Sequence, residues 1–121
     1  MPIDQRYDPD NVFARILRGE IPSDRAYEDA EFVAFRDIEP TAPTHIVLVP
    51  RGEPPTSAAS LRDVDAAWVG RMVVVASRIA AVEGLDRDGY RLVVNCGDAA
   101  GQTVGHFHLH ILGGRALGPV A

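Results

Sequence analysis

The chain has 121 residues, 46% of them hydrophobic and 24% charged, with a formal net charge of −5. That suits one domain with a real core, and mild acidity without a basic cluster argues against a nucleic-acid or anionic-membrane partner. Cys96 is the only cysteine, so no internal disulfide can form and a reducing, cytoplasmic setting is expected.

The opening Met1-Pro2-Ile3-Asp4-Gln5-Arg6 is polar at once and carries no signal-peptide pattern. The longest apolar run, Met72 to Ala76, is far too short to span a bilayer. Residues 1–10 show no periodicity and read as an arm. Asp10 or Asn11 can cap a short helix over residues 12–18, with Val12, Phe13, Ile16 and Leu17 on one face and Gly19 as its stop. Residues 25–28 and 31–36 read as two strands joined around Asp29-Ala30. Pro40 and Pro43 break the pattern, since proline fixes φ and removes an amide donor. Residues 45–49 form a nearly all-apolar run, as expected of a strand buried on both faces.

Residues 60–82 predict one long helix. Leu61, Val64, Trp68, Met72, Val75, Ile79 and Val82 form its apolar stripe, Ser60 and Asp63 have capping-box spacing, and Gly84 is the stop. Val73 and Val74 lie off the stripe and offer a second apolar face toward another subunit. Residues 90–96 form a strand, 97–101 a glycine-bearing loop, 104–112 a last strand and 113–121 a tail. The order predicts an α+β domain spanning residues 1–121: an antiparallel five-stranded sheet with one long helix and a short N-terminal helix.

The last strand concentrates the chemistry. His106, His108 and His110 occupy alternate positions with Phe107, Leu109 and Ile111 between them, which on a strand puts the imidazoles on one face and the apolar residues on the other. Two chemistries fit. One is a metal site built from two of these histidines with His45 or a carboxylate. All three cannot share one ion comfortably, because His106 and His110 are roughly 13 Å apart along an ideal strand. The other is nucleophilic attack by a neutral imidazole on phosphorus. The neighbouring histidines would then hold the phosphate oxygens, with amides and the Thr103 hydroxyl from the loop just upstream.

His106-Phe107-His108-Leu109-His110-Ile111-Leu112 is a complete His-φ-His-φ-His-φ-φ pattern, where φ is an apolar residue. With Val12-Phe13-Ala14-Arg15-Ile16, Gly19-Glu20-Ile21-Pro22, Ala34-Phe35-Arg36-Asp37-Ile38-Glu39-Pro40, Ala42-Pro43-Thr44-His45, Gly89-Tyr90-Arg91 to Asn95, and Gly101-Gln102-Thr103-Val104, it resembles the histidine-triad (HIT) nucleotide-binding proteins. The likeness covers about residues 11–115 and is to the branch of purine-nucleoside phosphoramidases, often called the protein kinase C inhibitor group.

The resemblance implies a homodimer with its sheet continued across the interface. It also implies hydrolysis of AMP- or GMP-amine conjugates at the P–N bond through a nucleotidyl-histidine. On this reading His108 is the nucleophile, and His110 contacts the phosphate and helps the leaving group. The backbone carbonyl of His106 sets the nucleophile's tautomer, and His45 is a fourth active-site histidine. Asn95, Gly101 and Thr103 match phosphate-side contacts. Phe13, Ile16, Phe35 and Ile38 match an apolar base pocket, and Asp37 matches the carboxylate on the ribose hydroxyls. No metal or cofactor is expected. Alternatives are a nucleotide-binding adaptor with incidental catalysis, and a dinucleoside polyphosphate hydrolase or nucleotidyl transferase of the same superfamily. The chain departs from the pattern at Gly105, where relatives often carry an aromatic residue. It also lacks a tryptophan in its tail and the N-terminal cysteine pair of zinc-carrying relatives.

Overall fold

A computed structural model of the chain describes residues 5–120. Of the N-terminal arm, residues 1–4 lie outside the described residues, as does Ala121 of the tail. The elements run α1 (Val12–Leu17), β1 (Arg25–Glu28), β2 (Phe32–Arg36), β3 (Thr44–Pro50), α2 (Ala66–Val82), β4 (Tyr90–Val93) and β5 (Leu109–Gly113), with short 3-10 turns at Ala58–Ser60, Asp63–Asp65 and Asp98–Ala100. The five strands form one sheet in the order β1-β2-β3-β5-β4, and every neighbouring pair is antiparallel. Among the described residues no helix is long and apolar enough to cross a membrane.

The sheet separates two apolar layers, because successive side chains on a strand point to opposite faces. Phe32, Ala34, Ile46, Leu48, Phe107, Leu109 and Ile111 pack with Met72, Val75, Ala76 and Ile79 of α2. Val33, Phe35, Val47 and Val49 pack on the other face with Phe13 and Ile16 of α1. This explains why β2 and β3 lack a polar face: both sides are covered. Asn11 is the cap of α1, its side-chain oxygen accepting the Ala14 N–H at 2.9 Å.

The long helix is shorter than its sequence pattern. Leu61 and Arg62 have extended backbone, so the predicted start of the helix is instead the last residue of one 3-10 turn, two extended residues and a second 3-10 turn, Asp63–Asp65. The Asp65 carboxylate accepts both the Arg62 N–H and the Trp68 indole N–H at 2.8 Å. These bonds tie the segment before the helix to its first turn, and α2 begins at Ala66, six residues after the predicted start. Ser60 and Asp63 therefore form no capping box. Val64 and Val82 of the expected stripe are exposed, and the buried line follows Met72, Val75, Ala76, Ile79 and Ala80. Leu85 completes it. Gly84 takes φ +78°, and the Leu85 N–H reaches back to the Ala80 carbonyl at 2.9 Å while the Gly84 N–H bonds Ala81. That is a Schellman termination, and it folds an apolar residue back onto the helix it follows.

The histidine strand is also shorter than predicted. Regular pairing begins only at Leu109, opposite Leu48 of β3. Upstream of it the Phe107 N–H goes to the Pro55 carbonyl at 2.9 Å, and the His106 carbonyl accepts from the His108 ring at 2.7 Å. With those backbone groups committed elsewhere, residues 104–108 cannot continue the ladder. Similarly, β4 stops at Val93, short of the predicted Cys96, and leaves Val94 to Cys96 as loop.

Candidate functional site

The departure of residues 105–108 from the ladder decides the geometry of the site. His110, on β5 opposite Val47, and His108, just before β5, stay on the α1 side of the sheet. His106 turns inward and is 0% exposed. The three imidazoles therefore do not form one exposed row. His108 and His110 line a cavity of about 510 Å³ together with His45, Phe13, Asp37, Glu39, Thr41, Asn95, Gly101, Thr103, Val104 and Leu112, among others. His106 supports this lining from behind. A second cavity, of about 290 Å³, lies between Gly84–Gly89 and Gly114–Ala116 and contains no histidine.

Hydrogen bonding assigns a tautomer to each ring, because an imidazole nitrogen facing a carbonyl must carry a proton and one facing an N–H must not. His106 Nε2 donates to the Pro50 carbonyl at 2.8 Å, so its Nδ1 is an acceptor, and that atom sits 2.8 Å from the Tyr7 hydroxyl. His108 Nδ1 donates to the His106 carbonyl, which leaves Nε2 with a free lone pair. The Thr41 N–H donates to His45 Nδ1 at 3.1 Å, so His45 Nε2 carries the proton and donates to His110 Nδ1 at 2.9 Å. His110 is then left with an Nε2–H. The cavity thus offers a lone pair on His108 beside an N–H on His110, with ring centroids 5.1 Å apart.

Burial keeps these rings neutral. His106 is pushed down from 6.5 to about 4 by desolvation, although its bond to Pro50 opposes the fall. His110 is likewise pushed down to about 4, first by desolvation and then by its neighbours His108 and His45. His108 and His45 are lowered in the same direction by burial, with Asp37 opposing in both. No Lys or Arg lines the cavity, so its electrostatics come from imidazoles, amides and the carboxylates of Asp37 and Glu39.

The supporting loops are fixed by buried bonds. Gln102, 3% exposed, accepts the Gly97 N–H at 2.9 Å and donates to the Thr56 and Val104 carbonyls at 2.7 and 3.0 Å. It thereby sets the loop that presents Gly101 and Thr103. Asp37 has two jobs: its Oδ1 accepts the Glu39 N–H at 2.8 Å as a turn-former does, and its Oδ2 lies 3.4 Å from His45 Nε2. From the tail, Arg115 donates to the Thr41 carbonyl at 3.0 Å, tying down the loop whose amide orients His45.

Of the residues singled out from the sequence, His45, His108, His110, Asp37, Asn95, Gly101, Thr103 and Phe13 converge on the cavity. Phe13 stands edge-on to His108 at 4.8 Å and to Phe35 at 5.4 Å. Ile16 and Phe35 are buried behind it. Ile38 is 93% exposed and does not join the lining. Thr41, Tyr7 and Glu39 were not legible as site residues. Thr41 acts through its backbone amide, and Tyr7 meets His106 from 99 residues away.

One metal-ligand constellation exists among the described residues: donor atoms of Asp37, His45 and His110 lie within 4.8 Å of one another. The expected site of two alternate histidines with His45 or a carboxylate does not form as such, since only His110 of the three joins His45 and Asp37. At the observed set, Thr41 holds the proton on His45 Nε2, the very atom a metal would need, so coordination there must first break the Thr41 bond or displace that proton.

The HIT domain family matches residues 18–117. A protein of Escherichia coli K12 named purine nucleoside phosphoramidase is 48% identical over 114 residues, covering 92% of each chain. Among solved structures, a histidine triad protein from Clostridium difficile superposes with a TM-score of 0.88 at 39% identity, over 96% of this chain and 100% of its own. A HIT family hydrolase from Legionella pneumophila Philadelphia 1 gives 0.84 at 41% identity, over 88% and 95%.

Proposed function

The chain belongs to the HIT domain family, and on that premise we propose that it hydrolyses the P–N bond of purine nucleoside 5′-phosphoramidates through a nucleotidyl-histidine. The observation that carries the reading is the pair of tautomers at the cavity. His108 Nδ1–H is held by the His106 carbonyl, which leaves Nε2 free to attack. His110 Nε2–H is left facing the reacting group by the Thr41–His45–His110 chain.

In the first step the His108 Nε2 lone pair bonds to the α-phosphorus and the P–N bond to the amine breaks. The developing imidazolium keeps its Nδ1–H on the His106 carbonyl, which stabilises the charge. The phosphoryl anion offsets the desolvation that keeps His110 neutral, so the His110–His45 pair takes up a proton beside it and gives it to the departing nitrogen. Water then attacks phosphorus, returns a proton to that pair and displaces His108 Nε2, releasing the nucleoside monophosphate. No metal or cofactor enters the scheme.

Asn95, Gly101 and Thr103 supply the phosphate-side contacts, and Asp37 accepts from the ribose hydroxyls. The purine packs on Phe13, backed by Ile16 and Phe35, and covers the exposed side chain of Ile38. The working unit is a cytoplasmic homodimer, one HIT domain per chain. Support for the dimer is the half-exposed Val73, Val74 and Val94 and the edge position of β4.

The test is turnover of an adenosine phosphoramidate in EDTA by the wild-type protein and His108→Ala. Full activity in EDTA is expected, with loss by several orders of magnitude in the variant. Activity that EDTA abolishes, or that the variant retains, refutes the scheme.

A further inference from the structure

The imidazole of His106 does not reach the cavity, yet its backbone carbonyl is what holds the His108 proton on Nδ1. Anything that fixes the His106 ring therefore fixes the nucleophile. The ring has two polar atoms, and both are spoken for: Nε2 by the Pro50 carbonyl at the end of β3, Nδ1 by the Tyr7 hydroxyl at 2.8 Å. Since Pro50 offers only an acceptor, Nε2 must hold the ring's proton, and Tyr7 must donate. Tyr7 is the sole hydrogen-bond partner of Nδ1 among the described residues, and its ring also stands 5.7 Å from the imidazole. The hydroxyl has two other neighbours, the Gly52 carbonyl at 3.5 Å, too distant to compete strongly, and the Asn11 side chain.

We propose that Tyr7 is a positioning residue for the nucleophile: its hydroxyl locks the His106 ring, and through the His106 carbonyl it keeps His108 in the tautomer with Nε2 unprotonated. A buried imidazole of 0% exposure tolerates an unpaired nitrogen poorly. Without the hydroxyl the His106 ring relaxes by turning, and residues 106–108 have no strand ladder to resist the shift. Their hold comes from the Phe107 N–H on Pro55, from the Phe107 side chain in the core and from this ring. The arm before α1 is thus part of the active site's framework, although it lines none of the cavity. A second tie of the same arm, from the Thr56 hydroxyl to the Gln5 carbonyl at 3.2 Å, provides a control. It docks the arm without touching His106.

The inference rests on the nucleotidyl-histidine reading for its kinetic consequence but not for its structural one. The experiment compares wild type, Tyr7→Phe and Thr56→Val by ¹⁵N NMR of the histidine rings at pH 7.5 and by single-turnover kinetics on an adenosine phosphoramidate. Tyr7→Phe keeps the ring and removes only the donor. The expected result is a His108 signal moving from the Nδ1–H form toward a mixture of tautomers. Formation of the nucleotidyl intermediate should slow about tenfold, with KM within twofold and Thr56→Val like wild type. A Tyr7→Phe protein with unchanged His108 tautomer and rate overturns the proposal. So does an equal change in Thr56→Val, which would assign the effect to docking of the arm rather than to the hydroxyl. If wild type turns over no phosphoramidate while the tautomer still shifts in Tyr7→Phe, the positioning role stands and the proposed reaction falls.

Discussion

Lowering the pH should unfold this protein through His106, by an amount its burial sets. The ring's pKa is about 4 in the folded chain against 6.5 for an ordinary histidine. Between those values the unfolded chain binds the proton and the folded chain does not, so stability is intact above about pH 6.5 and is lost as pH falls toward 4. At roughly 1.4 kcal/mol per pH unit, the difference amounts to about 3 kcal/mol from this one group. The assay is urea unfolding at steps from pH 7.5 to 4.5, wild type against His106→Gln, which has no titrating ring and can still donate to Pro50. Carboxylates titrate alike in both proteins, so the difference between the two curves isolates His106. Wild type should lose about 2 kcal/mol more than the variant across the range, most of it below pH 6. A difference that is flat, or that grows toward high pH, would refute the argument that the buried ring stays neutral.

Two further outcomes follow from the site's framework. Asp37→Asn should raise KM for a ribonucleoside phosphoramidate about tenfold or more, while a 2′,3′-dideoxy analogue shows little change. An equal effect on both substrates would move Asp37 from ribose binding to the His45–His110 pair, 3.4 Å away. Gly114→Ala should destabilise by about 2 kcal/mol or more in urea unfolding. Gly114 has φ +94°, and an added Cβ would stand 2.9 Å from Pro43 Cβ and 3.4 Å from the Thr44 nitrogen. Because Pro43 and Thr44 lead into His45, kcat should fall with stability, and an unaltered Tm in a calorimeter would contradict the steric reading.

How far the sequence reached can be traced through individual residues. Period-two apolar alternation around His106–His110 placed Leu109 and Ile111 in the core, and they are there, because side-chain alternation is a local property of extended backbone. It could not say where the strand begins. That depends on Pro55 taking the Phe107 N–H and on the His108 ring taking the His106 carbonyl, bonds between segments distant in sequence. The helical stripe of residues 60–82 was legible from Met72 onward. Its start was misread because the Asp65 carboxylate bonding Arg62 and Trp68 outweighs a weak propensity. Its end was legible, since α2 closes at Val82 with Gly84 as the stop, but Val82 itself is exposed and Leu85, beyond the stop, fills the core position assigned to it.

Sequence by itself determined the α+β class, the five strands and the family, and it singled out the histidines, since these follow from local patterns and motif spacing. Only the tertiary structure decided the protonation of each ring. Thr41, Pro50, Tyr7 and His45 act on the triad through single atoms placed by strand pairing and loop closure. Whether an imidazole nitrogen faces an N–H or a carbonyl is a matter of about 3 Å in space that no residue type encodes. The identity of three alternate histidines marks a site. Their division into one buried support, one ring with a free Nε2 lone pair and one with an Nε2–H comes from the ladder ending at Leu109.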